Sequence, residues 1–301
     1  MTAEPGAAYR CSTASREHAE PLEGTASTVR AFLLLEAPGP WGVEAVRDSR
    51  LPDPVKERLR HLELHNRVRP LLIRRPGRGS DGPVRVFAAF VHTEVPWMES
   101  TELDDVEELL GLELDGLGEG RSPGLEPWTE PVIAVCTHGR HDACCAERGR
   151  PLCAALAAAA PEQTWEVSHI GGDRFSGNVL VLPHGLYYGR LEPGDAASFA
   201  EKKLSGRLDL DHLRGRCAYP FFAQAAEVYL RRHLSLDAAD ALPLVSLNRH
   251  GTESEVVFDA DGEHWRVRVH TEVGEKRQLT CRAAALSFGQ AHRLVALSRA
   301  E

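Results

Sequence analysis

The sequence predicts an α/β protein: a mixed sheet flanked by helices, with an N-terminal α/β unit ahead of it and a small antiparallel extension behind it. Three observations predict this. Short apolar runs bounded by Pro and Gly alternate with helical spacings along most of the chain. The order strand, helix, strand, hairpin, helix falls within 131–204. Finally, EVVFDADGEHWRVRVH alternates apolar with polar residues around a DG turn.

Taken in order, residues 1 to about 30 are small and polar and read as an arm laid over the first unit, with Cys11 inside a CSTAS stretch. AFLLL (31–35) is the first strong strand, stopped by EAPGPWG, whose prolines and glycines enforce a turn. A helix opens at Asp53 with Pro54 at its first position, where a missing N–H costs nothing, and Val55, Leu59 and Leu62 share one face. Strands follow at 69–73 and 84–92. Leu, Val and Glu at helical spacing predict an amphipathic surface helix over 103–117. The Gly/Pro-rich GLGEGRSPGLEP sets a boundary near residue 125, giving units of 1–125, 126–210 and 211–301. The first two units share a similar succession of elements. A degenerate internal duplication is therefore open, although no residue-level repeat supports it.

In the second unit a strand at 131–135 delivers Cys136 at its carboxyl end. A loop and an Ala-rich helix, ending before Pro161, lead to a strand at 164–168 that delivers His169 in the same way. NVLVL and LYYGRL flank PHG as a hairpin, and a helix opens at PGDAASFAEKKL. Both loops thus lie at strand ends, where open α/β sheets bind ligands. The third unit begins with a helix at 220–233, continues into the hairpin turning at Asp261 and Gly262, and takes 278–284 as its third strand.

Composition narrows the function. With 301 residues, 43% hydrophobic and 26% charged, the chain can bury a substantial core. A net charge of -9 without a long basic run argues against a nucleic-acid partner, since phosphate binding needs a concentrated basic surface. The densest basic patch, RRPGRG, reads as a solvated turn. The start, MTAEPGAAYR, has neither the basic nor the apolar region of an export signal, and no stretch approaches a membrane span. Seven cysteines, an odd number, fit a reducing cytoplasm where thiols stay free or bind metal. A cytoplasmic protein with neither a nucleic-acid nor a membrane partner is expected.

The chemistry concentrates in CTHGRHDACC (136–145) and HIGGDRF (169–175). Cys136 and Cys145 enclose eight residues, among them Gly139 and the cationic group His138, Arg140 and His141, which suits a deprotonated sulfur. Cys144 leaves the second thiol open. In an extended loop neighbours point to opposite sides, so one of Cys144 and Cys145 faces the centre and the other packs inward or serves as a reactive thiol. His169 and Asp173 form the two ends of a tight loop across a glycine pair. Two thiols, an imidazole and a carboxylate can together hold one metal centre. Cys11, Cys153, Cys217 and Cys281 lie in no paired spacing and read as small packed residues. Tyr187, Tyr188 and Arg190 offer a docking surface for a partner.

CTHGRHDACCAERGRPL followed by HIGGDRFSGNVLVLPHGLYYGRL closely resembles the sucrase/ferredoxin-like family, most strongly over residues 130–205. The resemblance implies a thioredoxin-like ferredoxin fold and a [2Fe-2S] cluster held by two cysteines and two histidines in an HxxxH pattern. Carried over by position, the ligands are Cys136, Cys145 and His169, with Asp173 standing where the family has its last histidine. Asp173 is the preferred fourth ligand, with His184 or His138 as substitutes, or a labile or absent cluster as the alternative. The implied function is one-electron transfer or redox sensing with an unknown redox partner protein. Three other readings remain. One is a structural zinc module on the same residues. Another is thiol–disulfide chemistry at Cys144 and Cys145, disfavoured because adjacent cysteines close a strained ring. The last is sucrose hydrolysis, disfavoured because no acidic pair stands in a recognisable catalytic context.

Overall fold

The computed structural model describes residues 8–77, 82–92 and 94–300; the last residues of the RRPGRG patch and the first seven of the chain lie outside them. The elements are α1 (Cys11–Glu17), β1 (Ala31–Glu36), α2 (Asp53–His65), β2 (Val68–Arg74), β3 (Val84–Phe90), β4 (Trp97–Leu103) and β5 (Glu126–Pro127). There follow β6 (Val132–Cys136), α3 (Ala143–Ala159), β7 (Thr164–Val167), β8 (Val179–Leu182), β9 (Leu186–Tyr188), α4 (Ala196–Leu204) and β10 (Leu213–Arg216). The chain ends with α5 (Phe221–Leu234), β11 (Leu244–His250), β12 (Glu253–Ala260), β13 (Glu263–Arg277) and β14 (Ser287–Arg299).

β1 to β10 form one mixed sheet in the order β10-β9-β8-β6-β7-β2-β1-β3-β4-β5. Within it the same arrangement occurs twice. β1 runs parallel to β2 through α2 and antiparallel to β3, which pairs with β4; β6 runs parallel to β7 through α3 and antiparallel to β8, which pairs with β9. The halves meet where β2 and β7 pair antiparallel, Ile73 opposite Val167 and Arg74 opposite Glu166. Because both faces are covered, the central strands are continuously apolar: β1 and β6 are buried along nearly their whole length. Alternate residues feed opposite layers. Phe32, Leu34, Phe87, Ala134, Cys136 and Trp165 belong to one cluster that crosses both halves. On the other face Leu33 and Leu35 pack with α2, and Ile133 and Val135 with residues of α3 and α4.

β11 to β14 form a separate four-stranded antiparallel sheet, and α5 shares a core with it through Phe222, Ala226 and Leu230 against Val256, Phe258 and Val267. A large mixed sheet with flanking helices and this small sheet is the expected fold class.

Four local expectations are corrected. The expected helix over 103–117 is two 3₁₀ turns, Val106–Gly111 and Leu117–Glu119, because Gly111 ends the first and the chain then extends at Leu112. The expected strand at 278–284 is the turn between β13 and β14, and the true last strand begins at Ser287. The N-terminal arm lies over the second half, not the first: Arg10 pairs with Glu147 at 2.6 Å and Arg16 with Glu192 at 2.5 Å. Tyr187 and Tyr188 are both buried and offer no docking surface, since the sheet is covered on both faces at β9.

Candidate metal centre

Parallel pairing of β6 with β7 sets Cys136 opposite Val167, so the loops leaving both strands emerge at the same sheet edge. Asp142 stops the first loop and starts α3, its side chain accepting the Cys144 amide at 2.9 Å. Cys144 and Cys145 therefore sit in the first turn of a helix, not in an extended loop. About 100° apart around its axis, they still diverge. Cys145 turns toward Cys136, and Cys144 away from it.

Donor atoms of Cys136, Cys145 and His169 lie within 4.8 Å of one another, as do those of His141, His169 and Asp173. Both thiols and Asp173 are buried, while His169 keeps one edge toward solvent. The Cys145 thiol lies 3.3 Å from Asp173 Oδ1. His169 Nδ1 is 2.9 Å from that oxygen, and it is buried without an aligned hydrogen-bond partner. The Asp173 carboxylate is thus the partner that Nδ1 faces, an ion pair when the ring is protonated.

Electrostatics couple the four groups. The Cys136 thiol is held well below its ordinary value, first by the hydrogen bond from Cys145, which overcomes burial, and then by His169. Cys145 moves the other way for the same reason. Burial opposes charge on His169, but Asp173 and Cys136 outweigh it and raise its pKa to about 9. Burial likewise opposes charge on Asp173, and His169 outweighs it, leaving the carboxyl below its ordinary value. Thiolate, imidazolium and carboxylate thus coexist in one buried group, and once the ring gives up its proton they form a donor set that can hold a metal ion.

The other candidates are placed plainly. His184 is not brought to the site: Leu182 pairs with Val132, so the β8–β9 turn lies at the opposite end of β6 from Cys136. His138 is adjacent but spoken for, with Nε2 2.6 Å from the Gly42 carbonyl and Nδ1 accepting the His169 amide at 3.2 Å. His141, which sequence reasoning left among the cationic neighbours, stacks on His169 with ring centroids 3.8 Å apart. Cys153 and Cys217 are core residues, as expected. Cys11 and Cys281 are not isolated; both converge on Cys144.

The surrounding support comes from distant segments. Gly171 and Gly172 take positive φ values of 99° and 80°, which fold the second loop back on itself. The fully buried Arg214 fixes that bend, donating to the Gly171 carbonyl and to Asn178 Oδ1, both at 3.0 Å, while Asn178 donates to the Gly172 carbonyl at 2.7 Å. No local pattern marks Arg214; its role depends on the pairing of β10 with β9. Outside His169 opens a cleft of about 740 Å³, lined by α2, the 43–47 loop, His138 and His141.

No described helix is long and apolar enough to cross a membrane. No curated protein and no solved structure matches the chain. The family model described as sucrase/ferredoxin-like matches residues 22–215, a span that contains the whole ten-stranded sheet up to its last strand and all four residues of the centre, and the chain belongs to that family.

Proposed function

We propose that Cys136, Cys145, His169 and Asp173 hold a [2Fe-2S] cluster and that the protein acts in one-electron transfer or redox sensing. The observation that carries this reading is the convergence of two buried thiols with the His169 imidazole, their donor atoms all within 4.8 Å of one another. When bound, such a cluster supplies a one-electron couple tuned by its ligands, hydrogen bonds and exposure. The chain's own residues do the rest. Arg214 places a buried positive charge behind the glycine bend, which offsets the negative charge of the thiolates. The exposed edge of His169 faces the cleft, whose wall mixes Arg47, Lys56, Arg60 and Arg69 with acidic residues of α2. A redox partner protein docks in that cleft, onto which His169 opens.

A second reading rests on a different feature. The three donors of Cys136, Cys145 and His169 span no more than 4.8 Å, a compactness that suits one tetrahedral zinc ion as well as an iron of a cluster.

Anaerobic purification decides between them. The wild type is expected to be brown, with about two iron and two sulfide per chain, and Cys136→Ser and His169→Ala to be colourless. Loss of the colour in Asp173→Ala assigns the fourth position to Asp173. Retention there with loss in His141→Ala assigns it to His141. A colourless wild type holding zinc at Cys136 overturns the redox reading.

A further inference from the structure

Three segments far apart in sequence bring a second set of donors together beside the first. Cys11 comes from the start of α1, Cys144 from the first turn of α3, and Cys281 from the turn joining β13 to β14. Their ligand atoms and an oxygen of Asp142 all lie within 4.8 Å of one another. Cys144 Sγ is 3.3 Å from Cys281 Sγ, which is 3.6 Å from Cys11 Sγ, and Cys11 Sγ is 3.8 Å from each Asp142 oxygen. We propose that Cys11, Cys144, Cys281 and Asp142 form a second metal site, a closed tetrahedral S₃O site for a zinc ion that clamps the β13–β14 hairpin onto the ten-stranded sheet.

The geometry agrees with that ion. Zinc–sulfur bonds of about 2.3 Å set the sulfur–sulfur edges of a tetrahedron at about 3.8 Å. The observed separations need only small adjustments to admit the ion. Thiolates and a carboxylate are also donors that zinc takes, and Cys11, Cys144 and Asp142 are each only 1% exposed, with Cys281 partly buried at the outer side.

Further groups are arranged as a supporting layer. The Cys11 amide donates to Cys281 Sγ at 3.4 Å, and Ser12 turns its hydroxyl and its amide toward Cys144. Arg148 holds the Ser12 hydroxyl oxygen at 3.0 Å. The carboxylate of Asp142 accepts the Cys144 amide on Oδ1 and the Cys281 amide on Oδ2 at 2.7 Å, which orients it and leaves lone pairs for a metal. A disulfide would join two of the thiols and leave the third sulfur and the carboxylate without a purpose. A zinc ion uses all four.

The adjacency of Cys144 and Cys145 follows from this assignment. The first turn of α3 serves two centres, one residue to each, and the divergence of neighbouring helical positions keeps the donor sets apart.

The test uses the full chain carrying Cys136→Ser, which disables the other centre. Titration with Co²⁺ is expected to saturate at about one equivalent, with the visible bands of tetrahedral cobalt and thiolate charge-transfer absorption that Zn²⁺ abolishes. Adding Cys281→Ser is expected to reduce binding at least tenfold and weaken the charge-transfer band. If that variant fails to fold by circular dichroism, Cys11→Ser decides by the same readout. Cobalt binding and bands unchanged by these substitutions overturn the site. So does mass spectrometry of the native protein that finds Cys144 in a disulfide with Cys11 or Cys281.

Discussion

Glu227 is fully buried on α5, and its charge survives there only because two guanidinium groups meet it. Oε1 accepts from Arg216 at 3.2 Å and from Arg231 at 3.0 Å, and these arginines also donate to the carbonyls of Ala238 and Ala239. The triad binds α5 to β10 and to the segment that leads into the small sheet. Breaking such a group by removing one member leaves a buried charge uncompensated, at a cost of roughly 3–5 kcal/mol. Glu227→Gln is therefore expected to lose about that much stability near neutral pH, measured by urea unfolding. Burial raises the Glu227 pKa, but Arg216 and Arg231 outweigh it and hold the native value below the ordinary 4.5. The unfolded chain thus binds the proton more tightly, so the contribution is complete above pH 4.5 and fades as pH falls through the native value. The gap between wild type and variant should narrow along that acid limb and nowhere above it.

At the scale of elements, the centre depends on how closely α3 approaches β6. A Cβ on Gly149 would lie 2.0 Å from the Cys136 carbonyl oxygen, so only glycine lets the helix settle against the strand end. Gly149→Ala is expected to lift α3, cost about 1–3 kcal/mol by overpacking, and move Cys145 away from Cys136. A lower melting temperature together with weakened metal retention checks it, and an unchanged centre would contradict it. The same element shows what was legible beforehand. Cys136, Cys145, His169 and Asp173 stood out because they fall within two short segments at strand ends, where spacing carries the signal. Cys11 and Cys281 did not, because they reach Cys144 across more than a hundred residues and no local pattern records that closure. The segment at 278–284 reads as a third strand, yet its polar groups are committed elsewhere: the Cys281 amide to Asp142 and the Gln278 carbonyl to the Tyr9 hydroxyl. The segment at 103–117 had helical spacing but too few uninterrupted residues to propagate a helix past Gly111.

Across the whole molecule, the centre sits at the junction of the two halves of the sheet, and each half supplies part of its frame. Arg69 donates to the His169 carbonyl at 3.2 Å, Ser168 exchanges hydrogen bonds with Leu72, and the Gly42 carbonyl holds His138. The β2–β7 seam has few paired residues of its own, so side chains must secure it. Arg74 pairs with Glu166, which also accepts from Thr137 at 2.6 Å, and Trp165 of the second half packs on Phe87 of the first with ring centroids 5.6 Å apart. Cys136, Cys145, Phe87 and Trp165 share one buried cluster, which couples the candidate centre to the seam. Trp165→Ala removes the largest side chain of that junction and is expected to cost about 3–5 kcal/mol. Because the centre takes its framework from both halves, its loss should coincide with global unfolding. Heating the metal-loaded wild type and the variant should give one transition each, lower in the variant. The centre's absorbance, far-ultraviolet circular dichroism and the fluorescence of the remaining tryptophans should follow the same curve. A centre that persists after the first half has melted would show that the second half holds it alone.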